Sequence, residues 1–383
     1  MSLIRRNAKY GPIGLDLGAA GIKMVQLRDE GGRPALQAAA YEVIPPNPDP
    51  SARMGLVAEL IRKALHEAPF RGRRVATALG QSEFQMKNLR LPRMPLDELS
   101  AAVEFEAQDR FNLGEGANFR FVPAGEVRHG NELKEEVIVF AARSETIDAN
   151  IQFCESLGLI PCAMDVAPCA VARSFVRFLR RAEDEAAVNV FLDVGRSGSA
   201  IIITRGCELA FLKLLETGGR RFSEAVGDAL GLGPAEADEL RIQNMREQAL
   251  GAAIPKASVP EEMRLRIVDA VRPHAESIGR DLQLCLRYFA VTFRGQRPDC
   301  LTLVGGEAHE PALKQVLAES MDVPQIVGHP LRGVRGLGAM AARDQRTLQP
   351  AWSVATGLAL RGTPWAPGRD ASVGGRPRAA AVA

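Results

Sequence analysis

The sequence predicts an α/β protein of two duplicated lobes, with a small β-α-β-β subdomain inserted in the first. Three observations carry this reading. The chain has 383 residues, too long for one ordinary core and suited to two lobes of roughly 150–200 residues each. A pattern of apolar strand, Asp, apolar residue, Gly and small-residue turn occurs at Ile13–Gly21 and again at Phe191–Gly198, about one lobe apart. From Phe84 the texture changes to a strand, a helix and two strands that end near Ala142. The expected organisation is a first lobe over 1–83 and 144–185, the insert over 84–143 and a second lobe over 186–345. A C-terminal helix over 346–362 then packs back on the lobes, and the tail over 363–383 is disordered.

In chain order, Ile13–Leu17 and Ile22–Leu27 read as strands around the Gly18–Gly21 break. Ile44–Pro50, with four prolines in seven residues, is a rigid link. Met54–His66 has helical apolar spacing, and Val75–Leu79 is a strand. In the insert, Phe84–Leu91 alternates as a strand, a helix starts at Asp97, and Phe119–Val122 and Val137–Ala141 are strands. Ser144–Leu157 is a helix with Ser144 as its N-cap. Ile160–Val166 is a strand, Asp165 near its end caps the next helix, and that helix covers Val171–Leu179. Arg180–Glu185 is a charged break between the lobes. The second half opens with strands at Val188–Val194 and Ala200–Thr204 and helices at Arg221–Leu230 and Pro234–Glu247. A long helical stretch over Glu262–Phe293 is expected to break before Pro273. Leu301–Val304 is a strand, Pro311–Ser320 a helix with proline in its first turn, and Trp352–Leu360 the last helix.

Composition excludes several functions. The net charge of +2 gives no electrostatic case for nucleic acid, and clusters such as Arg71–Arg74 and Arg220–Arg221 read as solvated faces. No apolar run approaches the ~20 residues of a transmembrane helix, and Met1–Arg6 lacks the apolar stretch of a secretory signal. The six cysteines form no C-x-x-C pair and read as reduced, mostly buried thiols of a cytosolic protein. The histidines lack metal-ligand spacing. Gly336–Ala341 fits a G-x-G-x-x-A pattern but comes after a loop rather than a strand, so no dinucleotide site is expected there.

The repeated hairpins carry the chemistry. Gly18, Ala19, Ala20 and Gly21 in the first, and Gly195, Arg196 and Ser197 in the second, let backbone N–H groups converge on phosphate oxygens. Asp16 and Asp193, one at the end of each leading strand, suit Mg²⁺ or its water shell, and Lys23 supplies further positive charge. Gly305 and Gly306 close the strand Leu301–Val304 and offer bare backbone to a base and ribose. Gly218 and Gly219, before the helix that carries Phe222, are expected to face phosphates with the helix N-terminus.

The segments Gly14–Lys23, Asp193–Ser199 and Val304–Glu307 resemble the phosphate-1, phosphate-2 and adenosine motifs of the actin and sugar-kinase superfamily, whose fold is the ribonuclease H-like actin-like ATPase fold. Within it the chain resembles the type IV pilus assembly family PilM, on the insert after Leu79, Thr217–Arg221, Pro234–Asp238 and Gly357–Arg361. The resemblance covers nearly the whole chain to about Gly362. It implies ATP with Mg²⁺ in the cleft, Glu236 at the ribose and Arg241 over the base. It also implies a partner, the cytoplasmic N-terminal peptide of a PilN-like membrane protein, docked beside the insert, with self-association a further option. The protein would be cytoplasmic and held at the inner membrane through its partners. The place of the hydrolases' water-orienting Glu or Gln falls at Ala167, so hydrolysis is expected to be slow at most. Two other readings stay open: an actin-fold small-molecule kinase with Asp165 as its base, and a filament protein like the cell-division protein FtsA. The tail after Thr363 lacks the amphipathic stripe expected of the latter.

Overall fold

The computed structural model describes residues 9–45, 49–114, 116–129, 132–179, 181–250, 258–293, 297–340 and 349–366. Two five-stranded sheets share one topology. In the first, β1 (Tyr10–Leu17), β2 (Gly21–Asp29) and β3 (Pro34–Val43) form an antiparallel meander, and β4 (Arg74–Leu79) pairs parallel with β1. A later strand, Ile160–Val166, pairs parallel with β4 and completes the order. The second sheet repeats this with Val188–Val194, Ser199–Arg205 and Glu208–Leu215 as the meander, then Leu301–Val304 and Gln325–Val327 in parallel. The duplication therefore extends to every strand, and it places the two glycine hairpins at equivalent corners.

The insert comprises β5 (Gln85–Pro92), α2 (Leu96–Arg110), β6 (Ala117–His129) and β7 (Glu132–Arg143), in a sheet of order β5-β7-β6. The helix before it is α1 (Pro50–Glu67). Alternation along the insert strands gives the sheet two apolar faces. Leu89, Phe121, Val137 and Val139 pack under Leu99, Val103 and Ala107 of α2. Val122, Ala124, Ile138 and Phe140 join the core of the second lobe. The insert thus leaves the chain in the first lobe but rests on the second. Gly125, with φ +117, fits where a side chain would strike the Arg205 guanidinium.

The remaining elements, in chain order, are α3 (Ser144–Ser156), β8 (Ile160–Val166), α4 (Ala167–Val176), β9 (Val188–Val194), β10 (Ser199–Arg205), β11 (Glu208–Leu215), α5 (Gly219–Leu230), α6 (Pro234–Leu250), α7 (Glu261–Phe293), β12 (Leu301–Val304), α8 (Pro311–Ser320), β13 (Gln325–Val327) and α9 (Ser353–Ala359). The last helix wedges between β1 and α4. Cβ atoms at Gly14 and Gly357 would collide with backbone of Ala355 and Ala170, so both glycines are required by close approach.

Several local expectations are corrected. Ser144 does not cap α3. Arg143 holds that position, while the Ser144 hydroxyl donates to Gly116 O and accepts from Asn118 Nδ2 at 2.8 Å. Asp165 does not cap α4, whose N-cap is Val166 without a side-chain bond; Asp165 instead pairs with Arg173 at 2.7 Å and Arg361 at 2.8 Å. Helix α7 runs unbroken through Pro273. Cys162 and Cys207 are exposed rather than buried, whereas burial pushes the Cys154 and Cys285 thiols up to about 11. The link at Pro46–Pro48 and the tail beyond residue 366 lie outside the described residues.

Candidate functional site

Each meander of the two sheets turns on a four-residue loop closed in the same way. Gly18 N donates to Gly21 O at 3.1 Å, and Gly195 N donates to Gly198 O at 2.9 Å. Asp16 stands opposite Lys23 in the first register, and Asp193 opposite Ala200 in the second. Lys23 Nζ reaches Asp16 Oδ2 at 3.2 Å. Ala19 and Ala20 are exposed at the first tip and Ser197 at the second.

The two hairpins lie within electrostatic reach of each other. Burial pushes the Asp193 carboxyl up to about 6; the charge of Asp16, on the other lobe, adds to this and Lys23 opposes it. Burial pulls the Lys23 ammonium down, but Asp16, Tyr41 and Asp193 more than offset that, leaving it above the ordinary lysine value. Asp16 and Lys23 are in direct contact, and Asp193 lies within electrostatic reach of both. Gly305 completes the corner. Its φ is +90, and a Cβ there would lie 2.5 Å from Asp193 Oδ1, while Gly306 faces open space. Asp16, Gly18, Lys23, Asp193, Gly195, Gly305 and Gly306 are therefore brought together.

Other expected site residues are engaged by the protein itself or lie at the surface. Gly218 and Gly219 do not leave the first N–H groups of α5 free for phosphates. The N–H groups of Gly219 and Arg220 donate to Gly195 O at 2.9 Å and Arg196 O at 2.8 Å, so they brace the second hairpin. Gly218 is needed because a Cβ would lie 2.6 Å from Gly195 O. The Arg196 guanidinium is taken by Asp238 of α6. Glu236 is exposed in the first turn of α6.

Arg241 is not poised over an open base site. It is fully buried and donates to Ser223 Oγ at 2.9 Å, Glu307 Oε2 at 2.7 Å and Glu310 Oε2 at 2.7 Å. Burial pulls this guanidinium down, yet Glu307 and Glu310 together hold it above its ordinary value. Burial pushes the Glu310 carboxyl up, against the pull of Arg241. Ser223 Oγ donates in turn to Asp238 Oδ1 at 2.5 Å. One polar chain thus runs from the second hairpin through α6 and α5 to the loop after β12. Asp238 and Glu307 lie in segments that the resemblance singled out, but their pairing, and the roles of Ser223 and Glu310, carry no local sequence signal, because the partners are far apart in the chain.

The chain has counterparts among known proteins. The model of the type IV pilus assembly protein PilM family matches residues 14–363. The chain belongs to that family. It is similar to a chain of the solved PilM–PilN type IV pilus biogenesis complex, at 26% identity and a TM-score of 0.75, over 93% of this chain and 99% of the other. It is also similar to the ethanolamine utilization protein EutJ from Carboxydothermus hydrogenoformans, at 15% identity and a TM-score of 0.54, over 93% of this chain and 90% of that one. The latter likeness shows the fold alone. The fold is that of the actin-like ATPases, and the twin five-stranded sheets agree with it.

A groove of about 580 Å³ opens where β5 and β7 leave the insert sheet and meet α3. Phe84, Gln85 and Ala141 line one side, and Glu145, Thr146 and Ala149 the other. Asp165, the base that a kinase would need, is held ionised: burial raises its pKa, but Arg173 and Arg361 bring it below the usual carboxylate range. It is engaged on both sides and is no proton acceptor for a substrate hydroxyl. Among the described residues no helix is long and apolar enough to cross a membrane.

Proposed function

We propose that this PilM-family chain is an ATP-binding scaffold on the cytoplasmic side of a type IV pilus assembly platform, and that it recruits the N-terminal peptide of a PilN-like membrane protein. The observation that carries the nucleotide part is the meeting of Asp16, Lys23 and Asp193 from two lobes beneath two glycine turns. The turn N–H groups suit phosphate oxygens, and Lys23 neutralises part of their charge. Two carboxylates facing one ammonium make a locally negative pocket that fits a hydrated Mg²⁺, with Asp16 and Asp193 as its holders. When bound, the ion would supply charge neutralisation between the phosphates and these aspartates. Gly305 lets the turn pack closely against Asp193 and Val194, and Gly306, which faces open space, leaves room for the nucleoside. At the head of α4 stands Ala167, which cannot orient an attacking water, and this supports a nucleotide used as a structural ligand more than as fuel.

The groove beside the insert supports the partner part. Its apolar and polar walls suit an extended segment of a few residues. The solved relative is itself a PilM–PilN complex. The test is fluorescence anisotropy with a labelled peptide copying the cytoplasmic N-terminus of the organism's own PilN-like protein. Ala149→Arg, which fills the exposed wall of the groove, should weaken binding at least about tenfold, the loss of ~1.4 kcal/mol. Unchanged affinity would exclude the groove as the docking site.

A further inference from the structure

The groove and the nucleotide cleft are joined by one short stretch of chain, Gly80–Gln85. Its first half touches the second lobe. Gln81 Nε2 donates to Leu215 O at 3.0 Å, and Leu215 stands opposite Ser199, the residue after the second glycine turn. On its other side the Gln81 amide oxygen fills the space of the missing side chain at Gly198, where a Cβ would lie 2.5 Å from it. Gln81 is thus a first-lobe side chain lodged against the phosphate turn of the second lobe.

The second half forms the groove wall, and the turn between the halves is rigid. Glu83 N donates to Gly80 O at 2.9 Å, and Gly80 N donates to Glu83 Oε2 at 2.6 Å. Asn150 of α3 donates to the other Glu83 oxygen at 3.2 Å. Phe84 then packs edge-on against Phe140 of β7, with ring centroids 6.0 Å apart. A displacement of Gln81 therefore cannot be absorbed by a flexible loop. It passes through a doubly bonded turn into Phe84 and α3, the two walls of the groove.

We infer that Gln81 is an inter-lobe latch: it positions the peptide groove according to whether the second phosphate turn is occupied. The inference rests on the nucleotide reading above and deepens it by naming the residue that carries the coupling. A ligand that orders Gly195–Gly198 orders Leu215 O and the Gln81 amide with it. Stiffening then reaches residues 82–85 and 141–150 without any contact between nucleotide and peptide.

The test is hydrogen exchange on the full chain, with and without ATP and Mg²⁺, in wild type, Gln81→Ala and Gln81→Met; the methionine variant keeps the side-chain volume. In wild type, ATP should slow exchange at both glycine turns and slow it about fivefold over residues 82–85 and 141–150, the effect of about one hydrogen bond. Both variants should keep protection at the turns and lose the slowing at the groove. If the variants keep the groove response, or exchange faster by the same factor with and without ATP, Gln81 is only a structural residue and the latch is wrong. Protected turns with an unresponsive wild-type groove would also overturn it. Turns left unprotected by ATP would instead sink the nucleotide reading, and the latch with it.

Discussion

The two glycine hairpins share a topology and a closing hydrogen bond, yet they are built for different tasks. The first is supported lightly. Arg53 donates to Ala19 O at 2.7 Å, Ile44 N donates to Ala20 O at 3.1 Å, and Lys23 faces Asp16 across the strand pair. The second is buttressed from three sides: by the α5 N–H groups, by Gln81 from the opposite lobe, and by the Arg196–Asp238 contact that leads to buried Arg241. Where the first hairpin carries a lysine, the second has Ala200. Duplication conserved the frame, and divergence gave one copy the charge and the other the rigidity.

The largest effect should come from breaking the buttress. Arg241→Met leaves Glu307 and Glu310 buried without their cation and should lower stability by about 3–5 kcal/mol in chemical denaturation. Arg53→Ala, the matching change at the first hairpin, removes an exposed contact and should cost less than about 1 kcal/mol. Equal losses would erase the contrast between the two supports.

Next in size is the charge. Lys23→Met removes the cation between two carboxylates, so ATP affinity in calorimetry should fall about tenfold or more. The Asp193 carboxyl should titrate still higher than about 6, which carbon-detected NMR can follow. The pH profile is the third test. Between the ordinary 3.8 and about 6 the folded chain holds an Asp193 proton that the unfolded chain has released, so stability falls as pH rises through that window. Asp193→Asn should flatten this segment of the profile and gain about 1–2 kcal/mol at pH 7 without nucleotide. The smallest effect is at the first tip. Ala20→Ser places a hydroxyl on an exposed turn and should change stability by less than about 0.5 kcal/mol.

The same contrast explains what the sequence could disclose. Both hairpins were legible, because an apolar strand, an aspartate and a glycine turn are all set within about ten residues. The start of α8 was legible for a similar reason, since Pro311 sits in its first turn. Strand β3 was not, because Pro34–Val43 is rich in alanine and becomes a strand only by pairing with β2. The partners of Arg241 were equally hidden: Glu307 and Glu310 lie 66 and 69 residues away, and only the assembled lobe brings them together. Gln81 gave no signal at all, because its partner Leu215 O is a backbone atom 134 residues on. Local geometry can be read from residues in a row, whereas the choice of long-range polar partners requires the folded sheets.

The cleft itself is best probed by isothermal titration of ATP with Mg²⁺ into the wild-type chain and Asp193→Ala. A site gripped from both lobes predicts saturable binding by the wild type and at least about a tenfold loss in the variant. Identical isotherms, or no heat of binding in either protein, would contradict it.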